Sequence, residues 1–219
     1  MKAAACLFDL ESIEQETIDM WHAALTAAER ARLEASRGLA ARNESIIARF
    51  LLQELAAATL AGHWAVETQP DRSIHLVCDE RTASASLSHT AGAVMVALCS
   101  TGSVGVDIEH HRDNDVEKIV KRYFSDKERE AFYAAATQDR MSAFLRAWCA
   151  REALIKFQGT GTIGALLGSP LTLPDHVAHR ELAFHREGFQ AAIICDEPAN
   201  IEYWEAHLTK ERLIEFRKV

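Results

Sequence analysis

Apolar and polar positions alternate on two different periods along this chain, and the switches between them mark its elements. Residues 3–10 (AAACLFDL) form a short apolar run that predicts an opening strand. From Ser12 to about Ala61 the pattern turns helical, rich in Ala, Leu, Glu and Arg, without Pro and punctuated only by Gly38. Ile46–Leu60 is its most apolar stretch and predicts a core helix. Residues 62–80 mix Gly, Pro and Asp with strand-like pieces such as Ile74–Cys78. Ala93–Leu98 reads as a buried strand, Thr101–Ser103 as a turn, and Val104–Glu109 as a half-buried strand. Helical periodicity returns over Asp115–Tyr123, Asp126–Ala136 and Met141–Gln158, and Gly159, Gly161 and Gly164 end it. Strand candidates follow at Glu181–Phe184, Gln190–Cys195 and Ile201–His207. Strand, long helices and strands thus occur before residue 101 and again after it, which predicts an α+β fold of two similar halves.

At 219 residues the chain fits one large α/β unit or two small halves. Hydrophobic residues make up 48% of it, enough for a real core, so disorder is excluded as its ground state. A net charge of −8 argues against a general nucleic-acid binder, which needs clustered Lys and Arg. The five cysteines form no C-x-x-C pair and read as free thiols in a reducing compartment. No apolar window is long enough to span a bilayer and no secretory leader is expected, so the expectation is a soluble, cytoplasmic protein.

Three local patterns carry chemistry. In Gly105-Val106-Asp107-Ile108-Glu109, strand alternation puts Asp107 and Glu109 on one face and Val106 and Ile108 on the other. Two adjacent carboxylates repel unless a cation lies between them, and hard oxygen donors suit Mg²⁺; the same pair also fits a solvated strand edge. In Trp148-Cys149-Ala150-Arg151-Glu152-Ala153-Leu154-Ile155-Lys156, four-residue spacing stacks Trp148, Glu152 and Lys156 on one helix face. That face suits a metal-and-phosphate site, or simply a core Trp beside a Glu–Lys pair. In Ser86-Leu87-Ser88-His89, a hydroxyl and an imidazole at a strand edge suit a phosphate or an adenine, and no G-x-S-x-G elbow points to a hydrolase. His110 and His111 read as surface residues.

In this order, SLSH, VGVDIE, Tyr123-Phe124-Ser125-Asp126-Lys127-Glu128 and WCAREALIKFQGTG resemble the signature of phosphopantetheinyl transferases of the Sfp type, and the likeness covers nearly the whole chain. The resemblance implies transfer of the 4′-phosphopantetheine arm of coenzyme A to a serine of an acyl or peptidyl carrier protein, with release of 3′,5′-ADP. Such transferases serve fatty acid, polyketide or nonribosomal peptide biosynthesis. It implies Asp107, Glu109 and Glu152 as Mg²⁺ ligands and Lys156 beside the pyrophosphate. Asp107, Glu152 and Lys156 would be the catalytic set, with Glu152 or a metal-bound water as base. Ser88 and His89 would contact the nucleotide end of coenzyme A, and Arg72 would stand where the family carries a basic residue before a proline.

The resemblance further implies a monomer built as a pseudo-two-fold fusion of two similar α/β halves, each a small antiparallel sheet packed on a long helix. Residues 1–101 would hold the nucleotide end of coenzyme A and residues 102–219 the Mg²⁺ and pyrophosphate, with neither nucleic acid nor membrane as partner. Lys118, Lys121 and Arg122 would offer an acidic carrier a basic face, or form an ordinary solvated helix face. Three departures stand out: Arg151 replaces the usual Lys and could still face phosphate, the loop around Arg72 lacks its proline, and the first-half helix carries Glu44 and Gln53 at sites expected to be basic. Arg42 and Arg49 are the substitutes there. A metal-dependent phosphohydrolase or a degenerate coenzyme A-binding module are the competing expectations.

Overall fold

The computed structural model describes residues 2–10, 13–35, 38–90, 92–111, 115–159, 171, 173, 177–182, 188–196, 200–209 and 214–219, and the side chains of all of these except 179–182. Gly161, Gly164 and the Ala183–Phe184 end of one expected strand lie outside the described residues. The fold is α+β. Strand β1 (Lys2–Asp9) opens the chain, followed by helices α1 (Gln15–Ala24), α2 (Ala27–Glu34) and α3 (Leu39–Leu60). Strands β2 (Ala65–Thr68), β3 (Ile74–Cys78), β4 (Arg81–Thr90), β5 (Ala93–Cys99) and β6 (Val104–His110) come next. Helices α4 (Glu117–Tyr123), α5 (Asp126–Ala134) and α6 (Arg140–Gln158) precede β7 (Val177–Leu182), β8 (Phe189–Asp196), β9 (Asn200–Leu208) and β10 (Ile214–Lys218).

The strands form a seven-stranded sheet, β10-β9-β1-β5-β4-β3-β2, and a three-stranded antiparallel sheet, β6-β8-β7. The first sheet departs from the expected small antiparallel one. β9 and β10, from the far end of the chain, join it alongside β1, and β9 runs parallel to β1. Its neighbours otherwise pair antiparallel, with Ser86 opposite Ala97 and Ser88 opposite Met95.

Strand alternation divides the core into layers. One face of the large sheet (Val94, Val96, Leu98 with Ala83 and Ala85) packs on Leu51, Leu52 and Leu55 of α3 and on Trp21 of α1. Its other face (Ala93, Met95, Ala97, Cys99) packs on Val104, Val106, Ile108 and Ile193 of the small sheet. The small sheet turns its remaining face to Ala150, Ala153 and Leu154 of α6. A last cluster, Val120, Phe124, Phe132, Phe144 and Leu145, seats α4 and α5 against the start of α6.

Two local details differ from the helical reading of residues 12–61. The chain breaks at Leu25, and Thr26 caps α2 by accepting from the Glu29 amide at 3.3 Å. Gly38, at φ +95°, then turns the chain into α3. All five cysteines are free and buried, and among the described residues no helix is long and apolar enough to cross a membrane.

Candidate functional site

β6 is the edge strand of the small sheet, so one row of its backbone groups has no strand partner. Side chains supply the partners. The amide of Val106 donates to Ser86 Oγ at 3.1 Å, and Lys156 Nζ donates to the Val106 carbonyl at 2.9 Å. Asp107, next along the strand, is 5% exposed. Its Oδ1 accepts from Ser88 Oγ at 2.7 Å and from Lys156 Nζ at 2.8 Å. Its Oδ2 is buried and accepts no hydrogen bond. The thiol of Cys149 lies against this carboxylate and also donates to the Gln190 carbonyl at 3.3 Å.

The strand and α6 lie in contact because residue 105 is glycine. A Cβ there would sit 1.9 Å from the Ala153 carbonyl oxygen and 2.5 Å from the Phe157 amide. This approach brings Glu152 and Lys156 of α6 to Asp107. Glu152 is half-buried and forms no hydrogen bond or ion pair with the described residues. Burial first, and the Asp107 charge second, push its carboxyl above the ordinary carboxylate range, against a smaller pull from Lys156. Burial, then Asp107 and Glu109, also push the Cys149 thiol far up, so it rests as an uncharged thiol.

Two hollows flank this point. The larger, a cleft of about 490 Å³, is lined by Arg72, His75, Ser84 and Ser86 from the large sheet and by Glu152 and Lys156 from α6. The smaller, about 250 Å³, is lined by Glu109, His110, Val116, Phe144 and Trp148. Trp148 stacks on Phe144 and meets Tyr123 edge-on, so it faces the smaller hollow while Glu152 and Lys156 face the larger.

The residues singled out in the sequence therefore separate into groups. Asp107, Glu152, Lys156 and Ser88 come together, and Arg72 (φ +73°) faces the same cleft. His89 points to the opposite face of β4, where its Nδ1 pairs with Glu44 at 2.8 Å. Arg42 lies on α3 with its Nε buried and unpartnered. Arg49 is committed to Glu29 at 2.6 Å, so it offers no charge to a ligand. Arg151 does not face phosphate: it is fully buried, paired through Nε and Nη2 with Glu128, and stacked over Phe124. Glu128 also completes the capping box of α5 with Ser125, so the Phe-Ser-Asp-Lys-Glu segment is tied to the helix carrying Glu152. His110 and His111 are half-buried, against Phe189 and Ser142 respectively.

The segment from β6 through β9 matches a known family. Residues 103–213, just over half of the chain, match the 4′-phosphopantetheinyl transferase superfamily. This chain belongs to that superfamily. It is similar to the 4′-phosphopantetheinyl transferase HetI of Nostoc sp., 31% identical over 77 residues, 35% of this chain and 32% of the relative. It is also similar to the 4′-phosphopantetheinyl transferase AcpT of Salmonella typhimurium, 31% identical over 90 residues, 41% of this chain and 46% of the relative. The matches thus span about a third to a half of those relatives' own lengths.

In this member of the superfamily the sequence reading picked out Ser86 within its motif but not its hold on the Val106 amide, and it missed His75 and Cys149. Ser86 was legible in principle, because Ser84, Ser86 and Ser88 alternate onto one face of β4. Cys149 was not, since only the packing of α6 on β8 brings it beside Asp107. Among the described residues no three His, Cys, Asp or Glu side chains form a ready-made metal cage. Lys156 supplies the positive charge against Asp107. The donor set nonetheless fits a hard divalent cation, with one buried carboxylate oxygen bare and a second, unpaired carboxylate acting electrostatically on it.

Proposed function

We propose that the protein transfers the 4′-phosphopantetheine arm of coenzyme A to a serine of an acyl or peptidyl carrier protein. The observation that carries the reading is the convergence of Asp107, Glu152 and Lys156, the last two lining a cleft together with Arg72 and His75, in a chain of this superfamily. Anionic carboxylates alone would repel a pyrophosphate. Asp107, Glu109 and Glu152 are the residues that would hold Mg²⁺, and when bound the ion supplies positive charge against the pyrophosphate as negative charge builds there.

This chain's own residues account for the rest. Lys156, one-quarter exposed, reaches both Asp107 and the cleft, and neutralises the phosphate that departs. The carrier serine Oγ forms a bond to the β-phosphorus as the bridge to the α-phosphate breaks, releasing 3′,5′-ADP. The serine proton passes to a carboxylate oxygen of Glu152 or to a water that this carboxylate orients, since Glu152 lines the cleft. Arg72, which lines the cleft, would face the nucleotide end, while His89 pairs with Glu44 on the other face of β4.

We read the two sheet-and-helix units as a fusion of similar halves, residues 1–101 and 102–219, with coenzyme A between them and the protein monomeric and cytoplasmic. The packing of α3 on one sheet and α6 on the other supports the two-unit part of this reading. The test is incubation of apo carrier proteins with coenzyme A, with Mg²⁺ or EDTA. Phosphopantetheine gained only with Mg²⁺ is expected. Coenzyme A bound without transfer would favour a degenerate binding module, and phosphopantetheine freed without a carrier would favour a hydrolase.

A further inference from the structure

Ser88 is 7% exposed, and its hydroxyl donates to Asp107 Oδ1 at 2.7 Å. A hydroxyl has one proton to give, and ionised phosphate oxygens only accept. Ser88 can therefore serve the carboxylate or a phosphate of the nucleotide, and in this structure the proton is given to the carboxylate. Two residues back on the same face of β4, Ser86 holds the adjoining backbone through the Val106 amide. The large sheet thus grips β6 at two successive residues, once through main chain and once through side chain. Lys156 closes on the same Oδ1 from α6, on the other side.

A carboxylate free to turn about its last torsion offers either oxygen in many directions. With Oδ1 held by a fixed hydroxyl and an ammonium, Oδ2 is left bare and directed. We infer that Ser88 is a positioning residue for the cation site: it acts through Asp107, setting the carboxylate plane so that Oδ2 is presented to a divalent metal, and does not contact the nucleotide. The inference rests on the reading of Asp107 as a cation ligand. Hydrogen-bond partners that orient ligands in this way typically change metal affinity by about 10–100-fold when removed.

The test uses the full chain, with Mn²⁺ as the probe and no carrier protein present. Loss of the free Mn²⁺ electron-paramagnetic resonance signal gives metal affinity, and calorimetry in EDTA gives coenzyme A affinity. Ser88→Ala is expected to weaken Mn²⁺ binding by about 10–100-fold and to leave metal-free coenzyme A binding unchanged. Ser88→Thr, which keeps the hydroxyl, restores Mn²⁺ affinity, a rescue that mere filling of space by a side chain would not produce. Native Mn²⁺ affinity in Ser88→Ala, with coenzyme A binding weakened, would overturn the inference and return the hydroxyl to the nucleotide. Mn²⁺ uptake absent from the native protein as well would overturn the cation reading itself, and this inference with it.

Discussion

Among the described residues Asp107 is buried with one oxygen bonded twice and the other accepting no hydrogen bond, and Glu152 stands half-buried beside it without a partner. A buried oxygen left without a partner costs free energy, as does the repulsion between the two acids, so this pair weakens the fold, a cost that the proposed cation would relieve. Glu152→Gln keeps the shape and removes one of two repelling charges. It should cut carrier modification by roughly 10²–10³-fold while leaving the melting temperature no lower than native. Asp107→Asn should do the same to activity, and circular dichroism separates both losses from unfolding. The acids were legible in the sequence because a two-residue strand period and a four-residue helix period expose them. What the sequence did not reveal is which partners they take. Lys156 chooses Asp107 on another element over Glu152 on its own helix, and Arg151 turns inward to Glu128, because tertiary packing decides between equally spaced options.

At the scale of elements, the site depends on how closely α6 lies against β6. Gly105→Ala would drive a methyl into the Ala153 carbonyl, so the helix must shift. The expected cost is about 1–3 kcal/mol in stability together with loss of transfer, read by chemical denaturation and by carrier modification. A second joint binds α2, α3 and β2 through Glu29, which accepts from Arg49 at 2.6 Å and from the Thr68 amide at 2.9 Å. Burial alone would raise the Glu29 carboxyl, but the Arg49 and Thr68 hydrogen bonds outweigh it and hold it below the usual range. A lowered pKa means the joint contributes fully above the unfolded value of about 4.3 and is lost as pH falls through the folded value. Arg49→Met, which strands a buried carboxylate, should cost about 3–5 kcal/mol at neutral pH. Glu29→Gln should flatten the acid side of the stability–pH curve.

Long periodic elements such as α3 and β5 were readable. β4, built of Ser, Ala and Thr, was not, because it gains its burial from two layers and not from an apolar face of its own. The break before α2 was hidden too, as it carries neither Gly nor Pro and is marked only by Thr26 and Glu29.

Over the whole molecule, a net charge of −8 sets an electrostatic problem for the proposed function, which asks the protein to bind both coenzyme A and an acidic carrier. The proposed answer is local. Lys118, Lys121 and Arg122 are exposed on α4, with Lys121 paired to Glu117 and Arg122 over the Tyr123 ring. Replacing all three with Ala should raise KM for the carrier and reduce its dependence on salt, while KM for coenzyme A holds steady. The course of the chain also matters at this scale. β9 and β10 return to pair beside β1, so strands late in the chain extend the sheet that β1 to β5 form. This return was not readable from strand periodicity, which fixes the faces of a strand but not its neighbour.

The most direct test of the central claim is intact-mass spectrometry of an apo carrier protein incubated with coenzyme A and Mg²⁺, with the native chain and Asp107→Asn side by side. The account predicts that the carrier gains one phosphopantetheine with the native chain, and that the gain vanishes with EDTA or with Asp107→Asn. Equal modification by the two proteins, or modification that survives EDTA, would contradict it.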